Sequence, residues 1–409
     1  MSLARLAWTW AWARPLVAAL NLALLALGVA AMTLLILLSE QLQHAVQRDL
    51  AGIDLVVGAK GSPLQLILSG VFHLDVPTGN IPLATVDTLR GQPLVAQALP
   101  LSLGDSLRGF RIVGTEPDYI ALYGARLAQG AVWTAPMQAV LGAQVARETR
   151  LAPGARFAGS HGLAEEGAAH ADTPYQVVGV LAPCGCVLDR LVLTGLASVW
   201  AVHEHHEAGP GGGATHDEHE DHAAEDAARE VTLVLLRYRS PLAAVSLPRW
   251  VNAQAGLQAA APALESARLL RMVGVGTDVL RALAALLLVV AAVSVFIALV
   301  HAVREREHDL ATMRLLGASA GRVAGLVALE ALLLAALGAA LGLALGHGLT
   351  QALGAQLAQD RSLAVSGLWW SLDEAGLVAG TGALALLAAA LPAWRAARLD
   401  VMRLLQTAG

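Results

Sequence analysis

The chain has 409 residues, 56% hydrophobic and only 14% charged, with a formal net charge of −5 and a mean hydropathy of +0.58. That balance excludes an ordinary soluble globular protein, and the length exceeds what a bare helical membrane bundle needs. Lys60, the only lysine, stands in Gly-Ala-Lys-Gly-Ser-Pro; a phosphate loop needs Gly-Lys-Ser/Thr after a glycine-rich turn, so the chain does not hydrolyse nucleotide by itself.

In chain order, a cytoplasmic amino-terminal segment (1–14) leads into an apolar run from Pro15 to Leu38. The run exceeds the about 7 to 15 residues of a signal-peptide core, and Ser39-Glu40-Gln41 offers no small-x-small cleavage site. We read it as a retained transmembrane helix. Glu40 to Leu50 continues that helix as a polar extension.

A mixed α+β domain follows, occupying residues 39–278 with that extension. Short β-rich runs cover Asp54–Val57, Phe110–Val113, Ala139–Leu141, Tyr175–Leu181, Leu191–Leu193 and Val231–Tyr238, separated by turn signals such as Pro77-Thr78-Gly79-Asn80 and Pro153-Gly154. Helical patterns cover Ala84–Arg90 and Gln144–Thr149, and Pro241–Val275 reads as largely helical.

Residues 203–230 stand apart, with six histidines and nine acidic residues around Gly-Pro-Gly-Gly-Gly. Such a stretch cannot build a core and is expected to be disordered. His203, His205, His206, His216, His219 and His222 offer imidazoles beside carboxylates, a donor set that suits zinc or another divalent metal. The competing reading is a tolerated, solubilising insertion. Cys184 and Cys186 are the only cysteines. They exclude a disulfide framework, and as thiolates they would add soft ligands to such a site; otherwise they are oxidised or buried.

Three more apolar runs span about the 20 residues a bilayer requires: Val279–Val300, Val323–Leu345 and Ala375–Leu391. Between the first two of these, residues 301–322 are densely charged. Val303, Leu310, Met313 and Leu316 recur there at spacings of seven, three and three, so they share one face of a helix, and Gly317 supplies its stop. An amphipathic helix placed between membrane spans offers its surface to a partner. Glu330 lies inside the third span, where a carboxylate needs a partner; Arg322 and Arg314 are the nearby candidates. Gly338, Gly342 and Gly346 repeat every four residues in that span, as do Gly376 and Gly380 in the fourth. These small-residue ridges suit close packing, either within one bundle or in a dimer.

The fold class is therefore an integral membrane α-helical protein of four transmembrane helices, with a large mixed α+β extracytoplasmic domain inserted between the first and second. Arginines set its orientation. Arg5 and Arg14, the cluster Arg304, Arg306, Arg314 and Arg322, and the tail (392–409) with Arg395, Arg398 and Arg403 all become cytoplasmic if the amino terminus is inside. Residues 39–278 and the loop 346–374 are then exported. Trp8, Trp10, Trp12, Trp369, Trp370 and Trp394 flank the spans, where an interfacial belt would put them.

Glu305 to Ser319, EREHDLATMRLLGAS, is similar to the E-x-E-I-A-x-L-R-A-L-G-A-S element of the FtsX-like permeases of the MacB type, subunits of ATP-binding-cassette (ABC) transport systems. Ala13-Arg14-Pro15, Glu330-Ala-Leu-Leu-Leu and Pro392-Ala-Trp-Arg-Ala-Ala-Arg-Leu-Asp400 resemble further family signatures. In the exported part, Val113-Gly-Thr-Glu-Pro-Asp-Tyr119, Ala139-Val-Leu-Gly142 and Tyr175–Leu181 followed by Asp189-Arg190 resemble the MacB-like periplasmic core domain. Val401 departs from a usual proline, Cys184 and Cys186 from common threonines, and the histidine-acidic stretch is an insertion.

The resemblance implies a non-catalytic permease subunit in a bacterial inner membrane whose partner ATPase carries ATP-Mg. A coupling helix containing Glu305, Glu307, Leu310, Met313, Arg314, Leu315 and Gly317 would dock on that ATPase. It also implies a second permease chain in a homo- or heterodimer, a periplasmic adaptor or substrate-binding protein, membrane lipid and no nucleic acid as the set of partners. The substrate would be an amphiphile: a lipid, lipoprotein or peptide. Two other roles stay open, divalent-metal handling through the histidine loop and regulation of a periplasmic cell-wall hydrolase without transport.

Overall fold

The computed structural model describes residues 3–161, 173–207, 229–359 and 365–398. They form two compact units, one of residues 1–43 with 272–409 and the other of residues 44–271.

The first unit is helical. Helix α1 (Leu3–Ala11), absent from the sequence reading, precedes α2 (Pro15–Asp49). Among the described residues, four helices are long and apolar enough to cross a membrane: Pro15–Asp49, Pro262–Glu305, Ala320–Leu357 and Leu372–Ala397. Each outruns the apolar segment that marks it, because the flanking polar residues are good helix formers and a helix already nucleated propagates through them cheaply. The third-span glycines are spent within the chain. A Cβ on Gly342 would lie 2.5 Å from the Val29 Cβ, and Gly338 and Gly346 abut Leu25 and Thr33 in the same way. Gly376 and Gly380 face open space.

The second unit holds an eleven-stranded sheet and a two-stranded one. In chain order its elements begin with β1 (Leu55–Ala59), α3 (Pro63–Gly70), β2 (Ile81–Pro82) and α4 (Ala84–Arg90). Then come β3 (Val95–Leu107), β4 (Phe110–Thr115), α5 (Asp118–Leu122), β5 (Leu127–Gly130), β6 (Gln138–Leu141) and α6 (Ala143–Thr149). They are followed by β7 (Arg156–Phe157), β8 (Ser160–His161), β9 (Tyr175–Leu181), β10 (Val192–Gly195) and α7 (Leu196–Glu207). After α7 the described chain continues with β11 (Glu230–Val231), β12 (Leu233–Tyr238), α8 (Ala243–Asn252) and β13 (Leu257–Ala260). The main path runs β13-β1-β12-β3-β4-β10-β6-β9-β5; β4/β10 and β6/β9 are parallel pairs and the others on it antiparallel.

Strand β3 joins the two halves of this sheet. It pairs with β12 from Val95 to Leu101 and with β4 from Ser102 to Leu107, with a register shift inside the second pairing between Leu103 and Ser106. The sequence reading missed it because Pro100 and Gly104 interrupt the pattern, yet Pro100 is accommodated opposite Val234. Pro241–Val275 is largely helical, as the sequence suggests, but the short strand β13 interrupts it between α8 and the helix that starts at Pro262. After α8 ends at Asn252, Gly256, with a left-handed backbone (φ +86), turns the chain so that it returns as a strand beside β1.

The remaining helices are α9 (Pro262–Glu305), α10 (Glu307–Leu315), α11 (Ala320–Gln359) and α12 (Leu372–Ala397).

Candidate functional site

The charged segment between the second and third spans forms two helices rather than one. Helix α9 ends at Glu305, Arg306 breaks the path at φ −102 and ψ 18, and α10 starts at Glu307. Val303 and Leu310 are buried in the core of the first unit with Leu25, Leu299 and Val323. Met313 and Arg314 are half-buried, whereas Leu315 is 57% and Leu316 84% exposed. The expected single stripe is thus divided: its first part packs the bundle and its last part is offered outward.

Side chains anchor α10 at both ends. Before it, the Arg306 guanidinium donates to the Trp10 carbonyl at 2.8 Å, stacks 4.8 Å over the Trp10 ring and lies 3.7 Å from Glu330. After it, Arg314 donates to the Ala397 carbonyl at 2.8 Å, an acceptor left open by the end of α12. Glu305 pairs with Arg14, exposed on both sides, and Glu307 is half-buried in the first turn. Gly317, at φ +94, turns the chain out of the helix. The Leu315-Leu316 tip is therefore an apolar projection on a firmly held base.

Glu330 pairs with Arg306, not with Arg322 or Arg314 as the sequence suggested. Arg314 is engaged at Ala397, and the helix break at Arg306 turns that side chain toward Glu330.

At the other ends of these helices lies a polar network that the sequence reading did not single out. Ser371 donates to Glu40 at 2.6 Å, and Gln41 exchanges hydrogen bonds with Ser366 at 2.7 and 2.9 Å. His347 Nε2 lies 3.0 Å from Glu374, which also completes the capping box of α12. His347 and Glu374, flanking the short loop between the third and fourth spans, were the available signal.

In the second unit, buried polar groups meet around the end of α2. Asp49 Oδ1 accepts from the Val187 N–H at 2.9 Å, and its carbonyl accepts from the Tyr123 hydroxyl at 3.1 Å. Tyr119 stands edge-on to Tyr123, with ring centroids 5.4 Å apart, and its hydroxyl meets His73 Nε2 at 3.1 Å. Burial, reinforced by the Arg111 and Arg190 charges, holds the His73 imidazole well below its ordinary range. His73 is thus neutral when folded and titrates near 6.5 when unfolded. Only the unfolded chain takes up that proton as pH falls, so this contribution is intact above pH 6.5 and erodes below it by about 1.4 kcal/mol per unit until the folded value is reached. Thermal unfolding at pH 7.5 and 5.5 is expected to show a larger acid loss in the native chain than in His73→Gln, and equal losses would refute it.

Cys184 and Cys186 form a disulfide. This corrects their reading as thiolate ligands: oxidised sulfur has no thiolate to give a metal. His203, His205 and His206 fall in the last two turns of α7, which starts among buried residues such as Val199 and Val202 and runs through Glu207. His216, His219 and His222 lie outside the described residues. At the far end of the insertion Glu230 enters β11, and the Trp200 indole donates to its carbonyl at 2.8 Å. Among the described residues, no three His, Cys, Asp or Glu side chains converge as a metal site would require.

The fold and site define a polytopic membrane protein with a mixed α/β domain between its first two spans. Residues 18–209 match the MacB-like periplasmic core domain, and residues 281–401 match the FtsX-like permease C-terminal family. The two matches together span most of the chain, which belongs to the FtsX/MacB-type ABC transporter permeases, a family that works with ABC ATPase partners. The periplasmic region of MacB from Actinobacillus actinomycetemcomitans is similar at 13% identity and a TM-score of 0.34, covering 55% of this chain and 95% of that one. The extracellular domain of the noncanonic ABC-type transporter YknZ from Gram-positive bacteria is similar at 12% identity and a TM-score of 0.30, covering 51% and 98%. No curated protein matches the chain.

Proposed function

We propose that this permease subunit couples ATP hydrolysis by a separate ATPase to motion of its domain on the opposite side of the membrane, exporting or extracting an amphiphilic lipid, lipoprotein or peptide. The observation that carries this reading is the exposed Leu315-Leu316 tip on an α10 tethered at Arg306 and Arg314. A rigid base lets a push on the tip reach the spans instead of being absorbed by a loop. Glu305, Glu307, Leu310, Met313, Arg314, Leu315 and Gly317 make up the docking element, with Leu310 as its root in the bundle and the two leucines as its contact. In this reading the amino terminus, α10 and residues 392–409 are cytoplasmic, the membrane is the bacterial inner membrane, and two permease chains assemble with two ATPases. Motion arises because nucleotide binding favours one of two arrangements of the docked helices.

A second reading adds divalent-metal handling, supported by six histidines among acidic residues within 203–222 of the exported domain. One experiment addresses both. The permease and its cognate ATPase are reconstituted in nanodiscs, and ATP hydrolysis is followed against lipopeptide and against zinc, with and without residues 208–222. Amphiphile stimulation of both forms supports the first reading; zinc stimulation lost with the deletion supports the second. Failure of any ABC ATPase to associate overturns the coupling proposal.

A further inference from the structure

Helix α2 ends at Asp49, beside the turn that carries the disulfide. Cys184 is half-buried and Cys186 buried. Gly185 between them has a left-handed backbone (φ +64), and its carbonyl accepts from Arg48 of α2. The Asp189 carboxylate grips the turn from the other side, accepting from the Cys184 N–H at 3.0 Å and the Gly185 N–H at 2.7 Å. One residue later the Val187 N–H donates to Asp49. Val187 and Leu188 are fully buried in the core, in a short 3-10 turn (Val187–Arg190) that leads into β10. Residues 184–188 therefore tie the last turn of α2 to the middle of the sheet.

A disulfide closing so short a loop removes little entropy from the unfolded chain, so it contributes little to global stability. Its consequence is local: it holds Gly185 in the one conformation that presents its carbonyl to Arg48.

We propose that Cys184–Cys186 is a thiol-exchange site for an extracytoplasmic dithiol, and that its redox state sets how firmly the domain holds the end of α2. One thiolate of the dithiol attacks the more accessible Cys184 sulfur; the S–S bond breaks and Cys186 leaves as thiolate, taking a proton. The second thiol of the dithiol then attacks the mixed disulfide, releasing Cys184, which is protonated in turn. The dithiol departs as a disulfide, two electrons having passed to the protein, which gains two thiols. Once the ring is open, the 184–186 backbone is free to leave the left-handed turn, and the Arg48 and Asp49 contacts loosen together. That the dithiol is extracytoplasmic and that this would tune coupling rest on the function proposed above; the exchange itself and its grip on α2 do not.

The test uses the full chain in nanodiscs without any ATPase, so its outcome is separate from that of the transport reading. The native chain is equilibrated across ratios of reduced to oxidised dithiothreitol, quenched with N-ethylmaleimide for intact mass, and followed by hydrogen exchange over residues 44–50 and 184–191. Under reducing conditions two alkylated cysteines are expected, with at least tenfold faster exchange at the Gly185 and Val187 amides. Cys184→Ser/Cys186→Ser should exchange at the fast rate at every ratio. The proposal fails if the folded chain resists alkylation in millimolar dithiothreitol, or if alkylation occurs and exchange at Gly185 and Val187 does not change.

Discussion

Leu315→Ser/Leu316→Ser is expected to uncouple the partner ATPase while leaving the permease folded. Both side chains are largely exposed, and neither belongs to the cluster that packs α10 onto the spans. Surface changes of this kind typically shift stability by about 0.5 kcal/mol or less. At the centre of an interface, buried apolar anchors carry disproportionate energy, and losing about 2 kcal/mol or more weakens binding by about thirtyfold. ATPase affinity and substrate-stimulated hydrolysis in nanodiscs are the measurements, with thermal unfolding as the control. Leu310→Ser provides the contrast, since Leu310 is fully buried and its loss should unfold the segment instead. Native coupling in the double variant would remove the tip from the docking surface.

Glu330→Ala is expected to be the most destabilising single change in the spans. Both members of the Arg306–Glu330 pair are largely buried, with side-chain exposures of 16% and 8%. Removing one partner of a buried pair costs about 3–5 kcal/mol, because the remaining charge stays desolvated. Replacing both partners with apolar residues is far milder, so Arg306→Met/Glu330→Leu should recover much of the loss. Recovery will be incomplete, since Arg306 also holds Trp10 through its carbonyl and ring. Thermal unfolding in detergent with monodispersity by gel filtration measures both effects. A Glu330→Ala chain as stable as the native one would mean that the pair is hydrated.

How much of this was legible in advance differs by element. Tyr175–Leu181 and Ala84–Arg90 read correctly to the residue because hydrophobic period and local turn chemistry agree there. Strand β3 did not, since pairing on both edges overrode what Pro100 and Gly104 signal locally. In the docking segment the charge and Gly317 located the element, but the periodicity of Val303, Leu310, Met313 and Leu316 ran straight through a break that is made by Arg306 reaching Trp10 and Glu330. The spacing of the cysteines excluded a framework without revealing that the two bond to each other.

The number of spans, the large domain between the first two and the place of the charged segment were written in composition and order, because water and lipid sort residues by polarity whatever their neighbours. Which glycines meet another helix, which arginine answers Glu330, which leucines remain outside and what holds the end of α2 were decided only in the folded chain. These are contacts between residues far apart in the sequence, 296 positions in the case of Arg306 and Trp10. Their energies depend on the geometry that packing imposes, which no local pattern encodes.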